Sequence, residues 1–324
     1  MVAKADSTPV SPETPRCAVI VSTRNRGAKI APLVESVLKN REPEFEMVVV
    51  DQSDGLDTEA AMQPFLADRR LRFVRSDRKG TSRGRNLGAA MTSAPLLVIT
   101  DDDCIVPEDW LTRMLRPFDE NPRVGVAFCT VDPVPVEGPG LTPSIHFERS
   151  RTVGSLGEAW IEARRKLALG AGMAIRRTAF VEVQGFDEVL GPGSTFPACE
   201  DNDLAWRALV KGWQVYENAD VVVLHDGFRT LEQVRALVSR DCFGAGGAMA
   251  KYLRSGHWRM APVIAFWIYR LGIRGPAEDL LALRSPRGFR RPYWLLQGLA
   301  KGLLTPLEEG TLRYAHPDSD TVRK

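Results

Sequence analysis

Residues 96–111 read LLVITDDDCIVPEDWL. The apolar run LLVIT has the composition of a strand buried on both faces. It stops at Asp101-Asp102-Asp103, and a helix start follows. Pro107 stands at the first turn with Glu108 and Asp109 beside it. Trp110, Leu111, Met114, Leu115 and Phe118 then recur at the spacing of one buried helical face. A buried strand that ends in polar residues and turns into a helix is a unit of an α/β sheet, where ligands bind beyond the carboxyl ends of the strands. Adjacent carboxylates repel one another, so the triplet must meet a cation or lie in water. Two readings stand. Either it is a solvated turn in which Asp103 or Glu108 helps to start the helix, or it is a site for a hard divalent cation. Mg²⁺ and Mn²⁺ prefer oxygen, and Mg²⁺ often bridges carboxylates to a substrate's phosphates.

Outward from this stretch the same alternation repeats. CAVIVST (17–23) and FEMVVVD (45–51) read as buried strands, and LRFVR (71–75) as a short one. Between the first two, Ile30, Leu33, Val34, Val37 and Leu38 form an amphipathic helical stripe. A helix is expected near 58–67 and another over 83–91. VGVAFCT (124–130) is a further strand. GAGMAIRR (170–177) reads as a strand entering a helix, and ADVVVLHDG (219–227) as a strand ending in His225. The fold class is therefore α/β, with a Rossmann-like, mostly parallel sheet flanked by helices. Three polar clusters lie at strand ends and are expected to face one crevice. They are Thr23-Arg24-Asn25, Asp51-Gln52-Ser53-Asp54 and the aspartate triplet.

Composition excludes several classes. A formal net charge of +2 gives no bulk case for nucleic acid. The cysteines at 17, 104, 129, 199 and 242 are scattered without a CxxC pair, so reduced thiols and a cytoplasmic chain are the simple reading. MVAKADSTPVSPETPR lacks the apolar core of a signal peptide and reads as a short disordered tail over 1–15. No apolar run approaches the roughly 20 residues of a membrane span. The first strand runs into STRNRGAK without a GxGxxG turn, which argues against a dinucleotide-dependent dehydrogenase.

The blocks VIVSTRNRG, VVVDQSDG, GTSRGRNLGAA, ITDDDCIVPEDWL, GAGMAIRRTAFVEVQGFDE and CEDNDLAWRALVKGW, in this order and spacing, resemble family 2 glycosyltransferases of the GT-A fold. The resemblance spans about 16–228. It implies a nucleoside-diphosphate-sugar donor, Mn²⁺ or Mg²⁺, and inversion at the anomeric carbon. It also implies roles. Asp103 would ligate the metal, Asp101 would touch the donor, and Asp102 could take either part because the triplet leaves the register open by one. Asp201, with Glu200 beside it, matches the catalytic carboxylate that takes the proton from the acceptor hydroxyl. The same acidic residues also suit a helix N-terminus. Thr23, Asn25 and Asp51 match nucleotide-pocket positions. Relatives often carry a second Asp where this chain has Gln52, whose amide both donates and accepts, so a base other than uracil becomes an option. Arg83 and Arg85, at a helix start, suit the donor's phosphates. His225 matches a third metal ligand, or is a polar strand end. Trp160 is a candidate acceptor contact, whereas Trp206 and Trp213 are expected to pack.

Past 228 the blocks fade. A C-terminal helical extension is expected over 229–310, with a tail over 311–324. RTLEQVRALVSRDCFGAGGAMAKYLRSG reads as helical in two pieces. MAPVIAFWIYRLGIRG (260–275) and PYWLLQGLAKGLLTPL (292–307) are apolar, aromatic and flanked by arginines. They either pack on the catalytic domain or a second subunit, or lie in a bilayer interface at the inner face of the cell membrane. The acceptor classes in view are a cell-envelope glycan, a lipid-linked sugar or a small molecule. The competing functions are a nucleotidyltransferase on a similar sheet, and a non-catalytic relative that binds carbohydrate or a partner.

Overall fold

The computed structural model describes residues 14–135, 140–142, 144–155, 158, 169–281 and 290–316. Strands β1 (Cys17–Thr23), β2 (Phe45–Asp51), β3 (Leu71–Arg75) and β4 (Leu96–Thr100) are parallel in the order β3-β2-β1-β4. Their crossovers carry helices α1 (Ala31–Leu38), α2 (Asp57–Met62) and α3 (Thr81–Ala90). A short β5 (Cys104–Ile105) and α4 (Trp110–Glu120) follow, then β6 (Val124–Pro133), β7 (Gly140–Leu141) and β8 (Arg151–Val153). Next come β9 (Met173–Arg176), α5 (Arg177–Glu182), α6 (Glu200–Val210), β10 (Gln214–His225) and β11 (Arg229–Thr230). β9 inserts antiparallel between β4 and β6, and β10 runs parallel to β6. β5 and β8 edge β10 in antiparallel pairing, and β7 pairs with β11 in a separate small sheet. The result is the expected mixed α/β sheet, mostly parallel and flanked by helices, with a helical C-terminal region.

The buried strands explain their own sequences. Every residue of LLVIT is buried, as is all of CAVIVST but Ser22. The α4 stripe of Trp110, Leu111, Met114, Leu115 and Phe118 faces the core as its spacing predicts. Pro107 does not open that helix. Its carbonyl accepts from Trp110 N at 3.0 Å, closing a turn just ahead of it. β10 begins at Gln214, earlier than its apolar run, because a bulge between Asn218 and Val222 lets the polar segment pair with β6 as well.

The C-terminal region departs most from expectation. α7 (Leu231–Arg254) is one continuous helix, started by a Thr230–Gln233 capping box. It was expected in two pieces, but its glycines permit close approach to α10 (Arg291–Leu304), which follows α8 (Ala261–Tyr269) and α9 (Gly275–Leu281). A Cβ at Gly246 would strike the Leu295 carbonyl, and one at Gly298 would strike the Phe243 carbonyl. α7 also docks on the sheet domain. Lys251, fully buried, donates to Asp187 at 2.7 Å and lies 2.8 Å from Asp203 of α6. Tyr252 donates to the Asp203 carbonyl at 3.1 Å, and Arg207 pairs with Asp203 at 2.9 Å. One hydrophobic cluster runs from β1 through α7 and α10 to Tyr314. Tyr314 lies in the stretch expected to be tail. It is buried, its N–H bonds Asp187 at 3.0 Å and its hydroxyl bonds the Gly247 carbonyl at 2.6 Å.

Candidate active site

The crevice at the strand ends is built from backbone outward. Beyond β1, Asn25 adopts a left-handed conformation (φ 56°), which asparagine tolerates better than most residues. From there its N–H reaches Ser53 Oγ (2.7 Å), and its amide exchanges hydrogen bonds with Asp54. The ends of β1 and β2 are thus stitched together. At the end of β2, Asp51 is fully buried. One of its oxygens accepts from Ser53 N at 2.9 Å, and the other, Oδ2, has no hydrogen-bond partner among the described residues. A buried carboxylate oxygen left unpaired inside a domain is a rare feature.

Gln52 has other work than reading a base. Its amide nitrogen donates to the Arg78 and Gly80 carbonyls (2.6 and 3.0 Å), and its oxygen accepts from Gly80 N (3.2 Å). Both N–H groups are therefore used to pin the 78–80 turn onto β2. That turn leads into α3, which lies unusually close to β1. A Cβ at Gly84 would collide with Ser22, and one at Gly88 with Ile20. The same approach brings Arg85 inward. Arg83, one residue off that face, instead meets Glu188 at 3.3 Å and the His316 ring. The first N–H of α3 is taken by the Pro192 carbonyl (3.1 Å). The helix start expected to cradle phosphate is thus partly occupied by protein.

Arg85 is the hub. Its side chain is almost wholly buried, lies over the Phe186 ring at 5.3 Å and bridges three carboxylates. Nη2 meets Asp101 at 2.9 Å, while Nη1 meets Asp201 at 2.6 Å and Glu200 at 3.2 Å. Gly170 leaves room for this junction, because a Cβ there would stand 2.6 Å from both Arg85 Nη2 and Asp201 Oδ1. Its N–H also donates to Asp201 Oδ2 at 2.8 Å. Glu200 and Asp201 open α6, and the residue before them, Cys199, has φ 77°. A non-glycine residue in the left-handed region costs of order 1–3 kcal/mol and persists only where its surroundings enforce it.

The three aspartates point three ways. Asp101 faces Arg85. Asp102 meets Arg26 Nε at 2.9 Å. Asp103 divides its oxygens, one toward Arg26 Nη2 at 2.9 Å and one toward His225 Nε2 at 3.1 Å. Gly227 packs on the His225 ring, where a Cβ would collide with it. Cys104, paired with His225 in the β5–β10 register, completes a group of oxygen, sulfur and nitrogen donors within 4.8 Å of one another. These donors fit a divalent cation.

Electrostatics follow from burial and partners. Burial, then the Asp201 charge, pushes the Glu200 carboxyl up to about 8 against the pull of Arg85. Burial also raises Asp201, opposed chiefly by Arg85. Burial raises Asp102 to about 6, opposed by Arg26 and the Thr23 hydroxyl. Burial would raise Asp103 too, but His225, then Arg26 and Arg229, outweigh it and hold that carboxyl below its ordinary value.

The structure thus brings Thr23, Arg85, Asp101, Asp102, Asp103, Glu200, Asp201 and His225 together, with Asn25 and Asp51 at the adjoining strand ends. Trp160 lies outside the described residues. Trp206 and Trp213 pack, the first edge-on to Tyr252 and the second hydrogen-bonded to Glu182 at 2.8 Å. Sequence reasoning missed Arg26 and Gly170. The signal for Arg26 was available, since a carboxylate triplet at a strand end needs a cation and the STRNRG turn supplies arginines from the neighbouring strand end.

The family model for glycosyl transferase family 2 matches residues 18–183, about half of the chain, and the chain belongs to that family. Among curated relatives, it is 32% identical over 124 residues to polypeptide N-acetylgalactosaminyltransferase 11 of Xenopus tropicalis, covering 36% of this chain and 20% of that one. It is 25% identical over 186 residues to the glucosyl-dolichyl phosphate glucuronosyltransferase of Haloferax volcanii, covering 54% of this chain and 57% of that one. The chain therefore spans only about a fifth to under three fifths of these relatives. Among solved structures, the mannosyltransferase PcManGT from Pyrobaculum calidifontis, in complex with GDP-Man and Mn²⁺, superposes with a TM-score of 0.60. The identity is 19%, with 93% of this chain and 90% of that one covered. The fold is GT-A.

Proposed function

We propose that this protein is an inverting glycosyltransferase that moves a sugar from a nucleoside-diphosphate sugar to a hydroxyl acceptor with the help of a divalent cation, Mn²⁺ or Mg²⁺. The observation that carries the reading is Arg85, which joins the donor-side Asp101 to the buried Glu200–Asp201 pair within hydrogen-bonding distance. Inverting transfer is a single displacement, so one carboxylate must take the acceptor's proton as the new bond forms. Asp201 fills that role, held in place by Gly170 N–H and by Arg85. Glu200, whose carboxyl burial pushes up to about 8, favours its protonated form, in which it can donate a hydrogen bond to an acceptor oxygen. Asp103 and His225 would hold the cation, with Asp101 and Asp102 beside the donor. When bound, the cation supplies charge neutralisation for the departing nucleoside diphosphate. Asn25, Thr23 and the unpaired Asp51 oxygen line the nucleoside end. The PcManGT complex with GDP-Man and Mn²⁺ supports this reading by likeness of fold.

The acceptor side rests on a second observation. Trp258, Tyr269, Ile273, Leu281, Tyr293 and Leu304 are exposed in the C-terminal helices, among Arg259, Arg270, Arg274 and Arg291. The helix α8, APVIAFWIY, is apolar throughout yet only partly buried. Such a surface suits the headgroup region of an anionic bilayer and hence a lipid-linked acceptor, the class named for the Haloferax relative. No helix among the described residues is long and apolar enough to cross a membrane. Two measurements test these readings. Calorimetry with UDP, GDP, dTDP and CDP, in Mn²⁺ and then in EDTA, is expected to give metal-dependent binding of one nucleotide. Binding of none would overturn the donor assignment. Sedimentation with phosphatidylglycerol vesicles is expected to carry the protein down, and loss of binding in Trp258→Ser and Leu304→Ser would locate the surface. Equal partition onto neutral and anionic vesicles, or onto neither, would sink the membrane half alone.

A further inference from the structure

The cation site holds a donor that the proposed transfer does not use. Cys104 follows the aspartate triplet directly, and it is buried on β5 opposite His225 of β10. Directly paired residues of an antiparallel ladder project to the same face, so the sheet itself sets the thiol beside the imidazole. Asp103, Cys104 and His225 each offer one ligand atom, and those atoms lie within 4.8 Å of one another. Ligands held tetrahedrally at about 2.0–2.3 Å from one ion stand roughly 3.3–3.8 Å apart, so closing this set around an ion takes side-chain shifts of no more than about 1.5 Å. Two supports limit how the set can move. Gly227 packs on the His225 ring and fixes its plane, and Arg26 holds the second Asp103 oxygen at 2.9 Å. Outer partners of this kind orient metal ligands.

Resting on the cation reading above, we propose that Cys104 is a further ligand of this centre, which makes it a site for thiophilic divalent ions such as zinc, cadmium and cobalt. The chemistry separates two classes of ion at one place. Mg²⁺ and Mn²⁺ are hard, take oxygen by preference and use Asp103, His225 and the donor's oxygens. Soft and borderline ions gain from sulfur, so for them the same centre offers oxygen, nitrogen and sulfur together. Binding such an ion releases the thiol proton to solvent and places a competitor where the transfer needs its own cation. Zinc or cadmium at low concentration then inhibits by displacing manganese rather than by occupying the nucleotide pocket.

Cobalt absorption of the full chain without donor is the decisive test, run beside manganese binding by electron paramagnetic resonance. The wild type is expected to show a near-ultraviolet thiolate-to-cobalt band. Cys104→Ser should lose it and Cys199→Ser should keep it. Cadmium affinity should fall at least about 10-fold in Cys104→Ser, the smallest loss expected even from an outer-sphere partner, while manganese affinity moves by less than about 2-fold because sulfur contributes little to a hard ion. Cobalt binding without a thiolate band, or a band that survives Cys104→Ser, overturns the proposal while manganese binding leaves the cation reading intact. If neither cobalt nor manganese binds, both fall together. Should Cys104→Ser not fold, the ¹¹³Cd resonance of the wild type decides. A shift in the range of sulfur-ligated cadmium supports the proposal, and one in the oxygen–nitrogen range ends it.

Discussion

Two buried ionic clusters meet on helix α6, and they differ in balance. Around Asp203, the cations Lys251 and Arg207 face the carboxylates Asp203 and Asp187, charge for charge. Around Asp201, the guanidiniums of Arg26 and Arg85 are outnumbered by Asp101, Asp102, Asp103, Glu200 and Asp201. The carboxyl groups respond accordingly. Asp187 is held below its ordinary value because Lys251 outweighs its burial. Glu200, Asp201 and Asp102 are pushed up because burial prevails. Asp103 is the exception in the second cluster, since His225 and Arg26 both hold it. A closed, balanced cluster is suited to fastening helices together. A cluster short of positive charge is suited to receiving a cation and a proton. Residues two positions apart on one helix thus sit in two different electrostatic settings.

This contrast can be broken or sharpened by substitution. The largest effect belongs to Asp201→Asn. Turnover is expected to fall by about 10³-fold, within the range for loss of a general base. Calorimetric nucleotide binding and the melting temperature should stay close to wild type, and a variant that keeps wild-type turnover would refute the assigned base. Lys251→Met should do the reverse. It leaves Asp187 and Asp203 short of a buried cation and is expected to cost about 3–5 kcal/mol in urea unfolding, a loss that a stability within about 1 kcal/mol of wild type would contradict.

A smaller effect separates the clusters by pH. Glu200 is raised from 4.5 to about 8 in the folded chain. The folded state then binds more protons than the unfolded state between those values, so this residue's contribution to stability is full below about 4.5 and is lost as pH rises toward about 8. Melting temperatures across that window should decline in the wild type and flatten in Glu200→Gln. Identical slopes would show that the carboxyl is already ionised when folded. The smallest effect is expected at Arg83→Ala. Its guanidinium serves Glu188 and the His316 ring, so donor affinity should change by no more than about 3-fold, the scale of a weak ion pair. A drop of about 10-fold or more, the scale of a lost charged hydrogen bond, would place Arg83 in the donor site after all.

Much of the sheet was legible because LLVIT and CAVIVST are apolar runs broken only by hydroxyl residues at their ends, and such strands need little else to be read. The acidic triplet was legible for the opposite reason, as repelling charges at a strand end, and the Glu200–Asp201 pair through the resemblance of its block to the family, although both also suited a helix start. What stayed hidden depends on partners far away in sequence. Lys251 sits in the run AMAKYL, where a lysine normally marks a solvated face, and only the approach of Asp187 and Asp203 makes it a core residue. Gln52 looks like a ligand contact until the 78–80 turn closes over its amide. The glycines of α7 signal a break in any local reading, and only the facing backbone of α10 turns them into a contact surface. Arg26 was passed over because arginines were weighed where a helix begins rather than where a triplet of carboxylates would need them.

Asp187 accepts from both Lys251 Nζ and Tyr314 N–H, and it does so on the far side of the helix that presents Asp201. The family match ends at residue 183, short of every residue in this arrangement. The portion of the chain that carries the family likeness is therefore not a unit that could be excised, swapped into another protein or expressed alone with its chemistry intact. A fragment stopping between Val210 and Tyr314 would retain the acidic triplet and the Glu200–Asp201 pair on paper while losing part of the fastening behind them. In engineering terms, the shortest useful version of this protein is set by a tyrosine near its carboxyl end.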